Sequence, residues 1–347
     1  MSTLTSPEVI AFKSDEAQLT ALLEATAIAS LDNIGWIRVT GEDRVRWLNG
    51  VTTNSIQQLK SGESNYNFFL SAQGRIQGDA VALMLDNCIL LGTEAARVPA
   101  LIELLDRFII MDDVELAPHS SFGILVAGPQ AAETLAAIDL SVSDLGPSNF
   151  FATDWRGHKV AVLHAYSPLV PRFELWAESP ETIAALTEAL TTSGATPVSS
   201  EALNQLRILE GTPLYGVDIR DKELPQETNQ TRALHFAKGC YLGQEIVERI
   251  RSRGNVHRTF HAFQLTSDSA ETALPATGTV LESNSKPVGE LTSIATIPLP
   301  TGPVQLALGY IRREALELSQ ARNAPIVYVG GTASPIATPF TTVKRNS

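Results

Sequence analysis

Lys238, Cys240 and Glu245 stand within one eight-residue stretch, Lys238-Gly239-Cys240-Tyr241-Leu242-Gly243-Gln244-Glu245. An amine close to a thiol at this spacing could support thiolate chemistry. That means nucleophilic attack, disulfide exchange, or donation of a single ligand to a metal cluster. Behind the stretch a helix is expected: Ile246, Val247 and Ile250 are apolar, while Glu248, Arg249 and Arg251 are polar. Gly243 closes the preceding turn. Gln244-Glu245 give the helix an acidic first turn, which suits the positive end of its dipole. Cys240 therefore comes just before a helix N-terminus and close to Lys238, and both favour thiolate over thiol. A free cysteine is more often a small buried apolar residue. The flanking Gly239 and Gly243 argue against that reading, because they imply special dihedrals or a close approach.

Other candidate groups surround this stretch. Lys238, Arg249, Arg251, Arg253 and Arg258 against Glu245 and Glu248 leave a local excess of +3 in a chain of net charge −12. Arg251-Ser252-Arg253-Gly254 reads as an anion-facing turn. The alternative is a solvated helix face with i,i+4 pairs such as Glu245 with Arg249. Asp79 follows a turn at Gly74-Arg75-Ile76-Gln77-Gly78, and Tyr241 adjoins the cysteine as a candidate wall of a cavity. Trp36, Trp47 and Cys88 read as core. The six histidines show no metal-ligand spacing, so no metal site is expected, and His257-Arg258 is the one pair left open.

These residues must be positioned by an α+β fold. A helix is expected around Asp15–Ala29, then a strand at 35–40, a helix at 44–49 and a strand at 66–70. A hairpin follows over 76–85 and 88–92, then a helix at 95–108. A second unit begins with a strand at 122–127 and continues with a helix to about 137, strands at 159–164 and 173–177, and helices at 180–193 and 199–210. From about residue 256, short β runs separated by Gly, Pro, Ser and Asn read as a small closed β-barrel. The organisation expected is a first α+β lobe over 1–117, completed by 201–257, a second over 118–200, and the barrel over 258–347.

Composition narrows the function. With 44% hydrophobic and 18% charged residues, the chain of 347 residues can bury a large core. Its acidity argues against a broad nucleic-acid surface. Two cysteines make no disulfide framework, and no signal peptide or membrane-length apolar run is present, so a reducing cytoplasm is the expected address.

The eight-residue stretch resembles the KGCYxGQE signature of YgfZ-type folate-binding proteins, relatives of the glycine-cleavage T-protein. Four further segments are similar to that superfamily: Leu224-Pro225-Gln226-Glu227-Thr228-Asn229; Arg207 to Pro213 with Tyr215-Gly216-Val217-Asp218; the opening Ile37 to Asp43 with Trp47-Leu48-Asn49-Gly50 and Thr52-Thr53-Asn54; and, late in the chain, Val288 to Ser293 with Ala307-Leu308-Gly309-Tyr310. The resemblance implies three lobes around a central opening that binds tetrahydrofolate, and partners among iron–sulfur enzymes or cluster-assembly proteins, including tRNA-modifying enzymes. It maps the functional thiol onto Cys240 and its lysine onto Lys238, and an acid facing folate onto the neighbourhood of Asp79. Arg249, Arg251 and Arg253 are the cations proposed for the folate's anionic tail. True aminomethyltransferases carry R-x-E-A-G. Here that position is Leu209 and the acid stands one place late, at Glu210. A one-residue shift turns a helical side chain by about 100°, so Glu210 is expected to face elsewhere. That disfavours the second reading, a folate-dependent one-carbon transferase. A tRNA-binding protein is a third, for which the acidic total predicts weak, salt-sensitive binding.

Overall fold

The computed structural model describes residues 15–254, 256–268, 274–299 and 301–341, with the Arg253 side chain outside it. The polar termini expected at 1–14 and 342–347 lie outside the described residues.

The chain opens with α1 (Asp15–Glu24), which stops short of the helix expected to residue 29. Ala27–Ser30 forms β1 instead. This strand pairs antiparallel with Phe122–Ala127 and parallel with Thr196–Pro197. Ala27, Ile28 and Ala29 are all buried, as an interior strand covered on both faces requires. The first lobe therefore does not own all of residues 1–117, because β1 belongs to the second sheet.

The first-lobe sheet consists of β2 (Ile34–Thr40), β3 (Ser64–Leu70), β4 (Ile76–Met84), β5 (Ile89–Glu94) and β6 (Glu115–His119), in the order β3-β4-β5-β2-β6. The expected hairpin is β4–β5. Helices α2 (Arg44–Val51) and α3 (Val98–Asp106) cover this sheet through Leu48, Leu101 and Leu105. Trp47 lies in the same core, its indole N–H donating to the Phe108 carbonyl at 3.0 Å.

The second sheet runs β11-β1-β7-β10-β9-β8. Its strands are β7 (Phe122–Ala127), β8 (Phe150–Trp155), β9 (His158–His164), β10 (Arg172–Ala177) and β11 (Thr196–Pro197), with α4 (Ala131–Ala137) and α5 (Pro180–Thr192) packed on it. Strand β8 escapes a sequence reading because its own apolar alternation is weak; pairing with β9 along its whole length creates it. Trp36 of the first sheet and Trp176 of the second meet edge to face at 5.0 Å, so the two lobes share a core.

Helix α6 (Ser200–Glu210) starts at Ser199, whose hydroxyl accepts from the Ala202 N–H, and ends at Gly211 in the left-handed region (φ 69°). After it, residues 211–243 return across the first lobe with little regular structure, and α7 (Gln244–Arg253) follows. Tyr215, Ile219, Ala233, Tyr241 and Val247 of this segment pack with Phe68, Leu70 and Ile76 of the first sheet.

The C-terminal lobe is a closed barrel, β12-β15-β14-β13-β16-β17. Its strands are β12 (Arg258–Ser267), β13 (Val280–Ser283), β14 (Lys286–Leu299), β15 (Gly302–Arg312), β16 (Val327–Tyr328) and β17 (Gly331–Ile336), with α8 (Arg313–Arg322) inserted after β15. A mixed α/β chain ending in a closed barrel is the architecture expected from the sequence.

Asp218 fastens this barrel to the rest. Fully buried, it accepts from Arg207 at 2.7 Å, from the Leu214 N–H at 2.9 Å and from the Ser293 hydroxyl at 2.7 Å, and the Thr292 hydroxyl also donates to it. Arg258, which the sequence left open as a functional cation, pairs instead with Glu223 and Glu227 and lies over the Tyr310 ring. Asp218→Ala takes from Arg207 its carboxylate partner, and from the Ser293 and Thr292 hydroxyls and the Leu214 N–H a shared buried acceptor. Urea denaturation is expected to show a loss of about 3–5 kcal/mol; a loss within error would remove Asp218 from this role.

Candidate functional site

Strands β3 and β4 pair so that Tyr66 stands opposite Val81 and Phe68 opposite Asp79. Tyr66 and Asp79 are thus diagonal neighbours on one face of the sheet. The Tyr66 hydroxyl donates to Asp79 Oδ2 at 2.6 Å. Burial lifts the Asp79 carboxyl from its usual range to about 6, against the opposing pull of the Tyr66 hydrogen bond and of Arg232 and Arg97. Burial likewise raises the Tyr66 phenol.

The Arg232 guanidinium lies 4.1 Å from the Tyr66 ring centroid and 4.0 Å from that of Tyr166. One cation is therefore layered between a tyrosine of the first lobe and one of the second. Burial disfavours its charge, and the Tyr66, Tyr166 and Asp79 groups counter that. Asp79 also lines a cleft of about 260 Å³ with Gln77, Thr93, Arg97, Leu101 and Tyr215. Arg97 covers the Tyr215 ring at 4.3 Å, and the Tyr215 hydroxyl donates to Asp221 at 2.7 Å. Sequence reasoning missed Tyr66, Arg232, Arg97 and Tyr215. The signal within reach was the strand pairing that sets Tyr66 beside Asp79.

Two loops cross beneath this group. The Thr53 hydroxyl accepts from the Phe68 N–H at 2.9 Å and donates to the Ala233 carbonyl at 2.7 Å. The Asn54 amide donates to the carbonyls of Tyr66 (3.1 Å) and Arg232 (2.9 Å). Lys238 closes the arrangement, donating to the carbonyls of Thr52 (2.7 Å) and Asn54 (2.6 Å), with its ammonium 5.0 Å from the Tyr241 ring centroid. Burial lowers the Lys238 ammonium to about 7.

Lys238 therefore directs its charge to loop carbonyls. The sequence expectation had it supporting the Cys240 thiolate. Cys240 is exposed, while Cys88 is buried. Of the two glycines, Gly243 is required: its φ is 79°, and a Cβ there would come within 2.6 Å of the Ser71 carbonyl oxygen. A Cβ on Gly239 would meet nothing within 4 Å, so that glycine carries no such constraint. Helix α7 does begin at Gln244, but residues 241–243 separate it from Cys240. Tyr241 is buried among Phe68, Leu70 and Tyr215, and burial raises its phenol to about 12; it is core and not an open wall.

Arg249 and Arg251 stand on α7. Arg251 lies over the Phe236 ring at 4.6 Å and pairs with Glu248 at 3.4 Å, Arg249 is exposed on α7, and the Arg253 side chain is outside the described residues. Glu210 gives a further correction. The Leu209 side chain packs with Phe260 and Leu308 of the barrel, whereas Glu210 is buried near Arg172 and Arg232. The displaced acid is thus turned toward the lobe junction. Among the described residues no cluster of His, Cys, Asp or Glu could hold a metal ion, and no helix is long and apolar enough to cross a membrane.

The GCVT N-terminal domain family matches residues 6–238. The chain belongs to this family. Relatives include an Arabidopsis thaliana protein named "Putative transferase At1g60990, chloroplastic", 27% identical and covering 89% of this chain and 71% of its own length. The aminomethyltransferase of Frankia alni is 25% identical, with coverages of 84% and 80%. The glycine cleavage system aminomethyltransferase T of Bartonella henselae shares the fold, with a TM-score of 0.81 at 20% identity, covering 94% of this chain and 89% of its own. The family match ends at Lys238, so Cys240 and α7 lie just beyond it.

Exposure gives a direct check on the two thiols. A disulfide reagent added to the native protein is expected to label Cys240 promptly and Cys88 only after unfolding. Equal labelling rates for both would contradict the placement.

Proposed function

We propose that this chain is a tetrahydrofolate-binding accessory protein of the YgfZ type, supporting assembly or repair of iron–sulfur clusters, including those of tRNA-modifying enzymes. The observation that carries the folate reading is the half-buried Asp79 carboxyl beside a cleft, with Tyr66 and Arg232 against it. A reduced pterin is flat and presents a row of N–H donors. An ionised carboxylate accepts such a row in bidentate fashion, while aromatic and guanidinium planes cover its faces. Asp79, Tyr66, Arg232 and Tyr215 would hold it, with Arg97 at the cleft wall and Arg249, Arg251 and Arg253 as candidate cations for an anionic tail. When bound, the folate supplies a carrier for one-carbon units. The residues of this chain orient it and keep a carboxyl poised to hold a proton.

Cys240 supports the second half of the proposal through its exposure. A single thiolate cannot hold a conventional cluster, which takes four ligands. It can lend one ligand to a cluster shared with a partner, or exchange with a partner's disulfide. Either role needs a sulfur at the surface and suits a compartment that keeps thiols reduced, for which we propose the cytoplasm. Lys238 shapes the loop that presents the thiol. The acidic chain gives no general surface for nucleic acid.

A second reading, a folate-dependent one-carbon transferase, is favoured by one observation. The half-buried Asp79 carboxyl, raised by removal from water to about 6, can move a proton in the neutral range. Turnover of methylenetetrahydrofolate with an amine donor by the purified protein would select it.

Calorimetric titration with tetrahydrofolate tests the proposal. The ionised form of Asp79 is the acceptor, so affinity is expected to rise as pH increases through about 6. Asp79→Asn is expected to weaken binding about tenfold to a hundredfold and to abolish that pH dependence. Wild-type affinity in Asp79→Asn, or none in the wild type, would refute the site. Cys240→Ser is expected to bind folate normally while failing to restore iron–sulfur enzyme activity in cells that lack the protein. Full restoration would remove the thiol from the function.

A further inference from the structure

Glu210 is a buried carboxylate that the proposed folate site leaves unused. Its direction is fixed by the end of α6. A Cβ on Gly211 would come within 2.5 Å of the Thr338 side chain, and the Phe340 N–H donates to the Leu209 carbonyl at 2.7 Å. The helix terminus is therefore clamped by the C-terminal segment, and Glu210 is presented to the loop between β9 and β10. Its Oε1 accepts from the Ser167 hydroxyl and from the Leu169 N–H at 3.4 Å. Arg172 and Arg232 are the charged groups that face it.

The same loop carries Tyr166. Its base is anchored, since Val170 is buried and Leu169 packs against two apolar clusters. Its tip is not buried: Tyr166 is 47% exposed. The Arg232 guanidinium carbon nevertheless lies 4.0 Å from the Tyr166 ring centroid and 4.1 Å from that of Tyr66, which is tied to Asp79 at 2.6 Å. With two tyrosine rings already against the guanidinium, a flat heterocycle that stacks there must displace a tyrosine. Tyr66 is the inner, hydrogen-bonded leaf. Tyr166 is the outer leaf, held through its loop.

We infer that Glu210 is a positioning residue that latches the loop tip 165–168, and that this tip, carrying Tyr166 over Arg232, is a gate on the ligand site. The acid one place late in the sequence thus acts through the loop and does not touch the ligand. The gating of folate rests on the function proposed above; the latch itself does not.

The experiment uses the full-length protein and three substitutions. Ser167→Ala removes a latch donor and leaves every charged group in place. Glu210→Ala removes the acceptor, and Tyr166→Ala removes the leaf. Hydrogen exchange of the Leu169 amide, measured without ligand, is expected to accelerate about tenfold in Ser167→Ala and in Glu210→Ala, the scale of one lost hydrogen bond to a carboxylate. Stopped-flow mixing with tetrahydrofolate is expected to show faster association and a lower Kd in all three, because the leaf no longer has to be displaced. Unaltered Leu169 exchange in both latch variants would overturn the inference. So would a loss of affinity in Glu210→Ala while Ser167→Ala keeps wild-type rates, because Glu210 would then contact the ligand directly. If the wild type binds no tetrahydrofolate, the folate reading fails, and the exchange measurement still decides the latch.

Discussion

The site depends on how the polar groups of two crossing loops are satisfied. Residues 52–54 and 232–238 meet beneath β3 with little regular secondary structure of their own. Their buried carbonyls and amides need partners, since an unpaired one costs about as much as a lost hydrogen bond. Thr53, Asn54 and Lys238 supply them, joining Phe68, Tyr66, Arg232 and Ala233 in one network. Because the backbones of Tyr66 and Arg232 are both held by the Asn54 side chain, their side chains meet in a fixed stack. Asp79 then receives the Tyr66 hydroxyl in the one direction this frame allows.

The segments that resemble a known superfamily sort into two physical groups. Arg207 with Asp218, and Glu227 with Arg258, fasten the barrel to the segment after α6; they are buried or half-buried and engaged with protein partners. Thr52-Thr53-Asn54 and Lys238 hold the loops that shape the candidate site. Neither group needs to touch a ligand. Cys240 differs from both, being exposed next to a closely packed tyrosine. A rigid support under an exposed thiol suits a group that must be presented to another molecule.

Burial also explains why Asp79 and Glu210 have different parts in the proposed scheme. Both carboxyls are raised by removal from water. Asp79 keeps an edge on a cleft with Gln77 and Tyr215. Glu210 is closed in by Ser167 and Leu169, so its interaction energy goes into the loop. Two acids of similar chemistry at one lobe junction are thus separated by what reaches them.

Much was legible in the sequence. Apolar periodicity and turn residues located the helices α5 and α6, the strand β7, the β4–β5 hairpin and the terminal barrel, because these elements are fixed by local alternation and caps. The stretch around Cys240 stood out in the sequence, but the exposure of the thiol belongs to the tertiary structure, since Gly239 carries no constraint that would have revealed it. Three further things were decided only by tertiary structure. Strand β1 joined the second sheet, since pairing partners distant in sequence outweigh a weak local helix signal. Lys238 turned to the carbonyls of Thr52 and Asn54, because a buried ammonium takes the nearest acceptors, and those come from a loop far away in the chain. Tyr66, Arg232 and Tyr166 became one stack across two lobes, a contact that strand register and lobe packing create and that no spacing along the chain encodes.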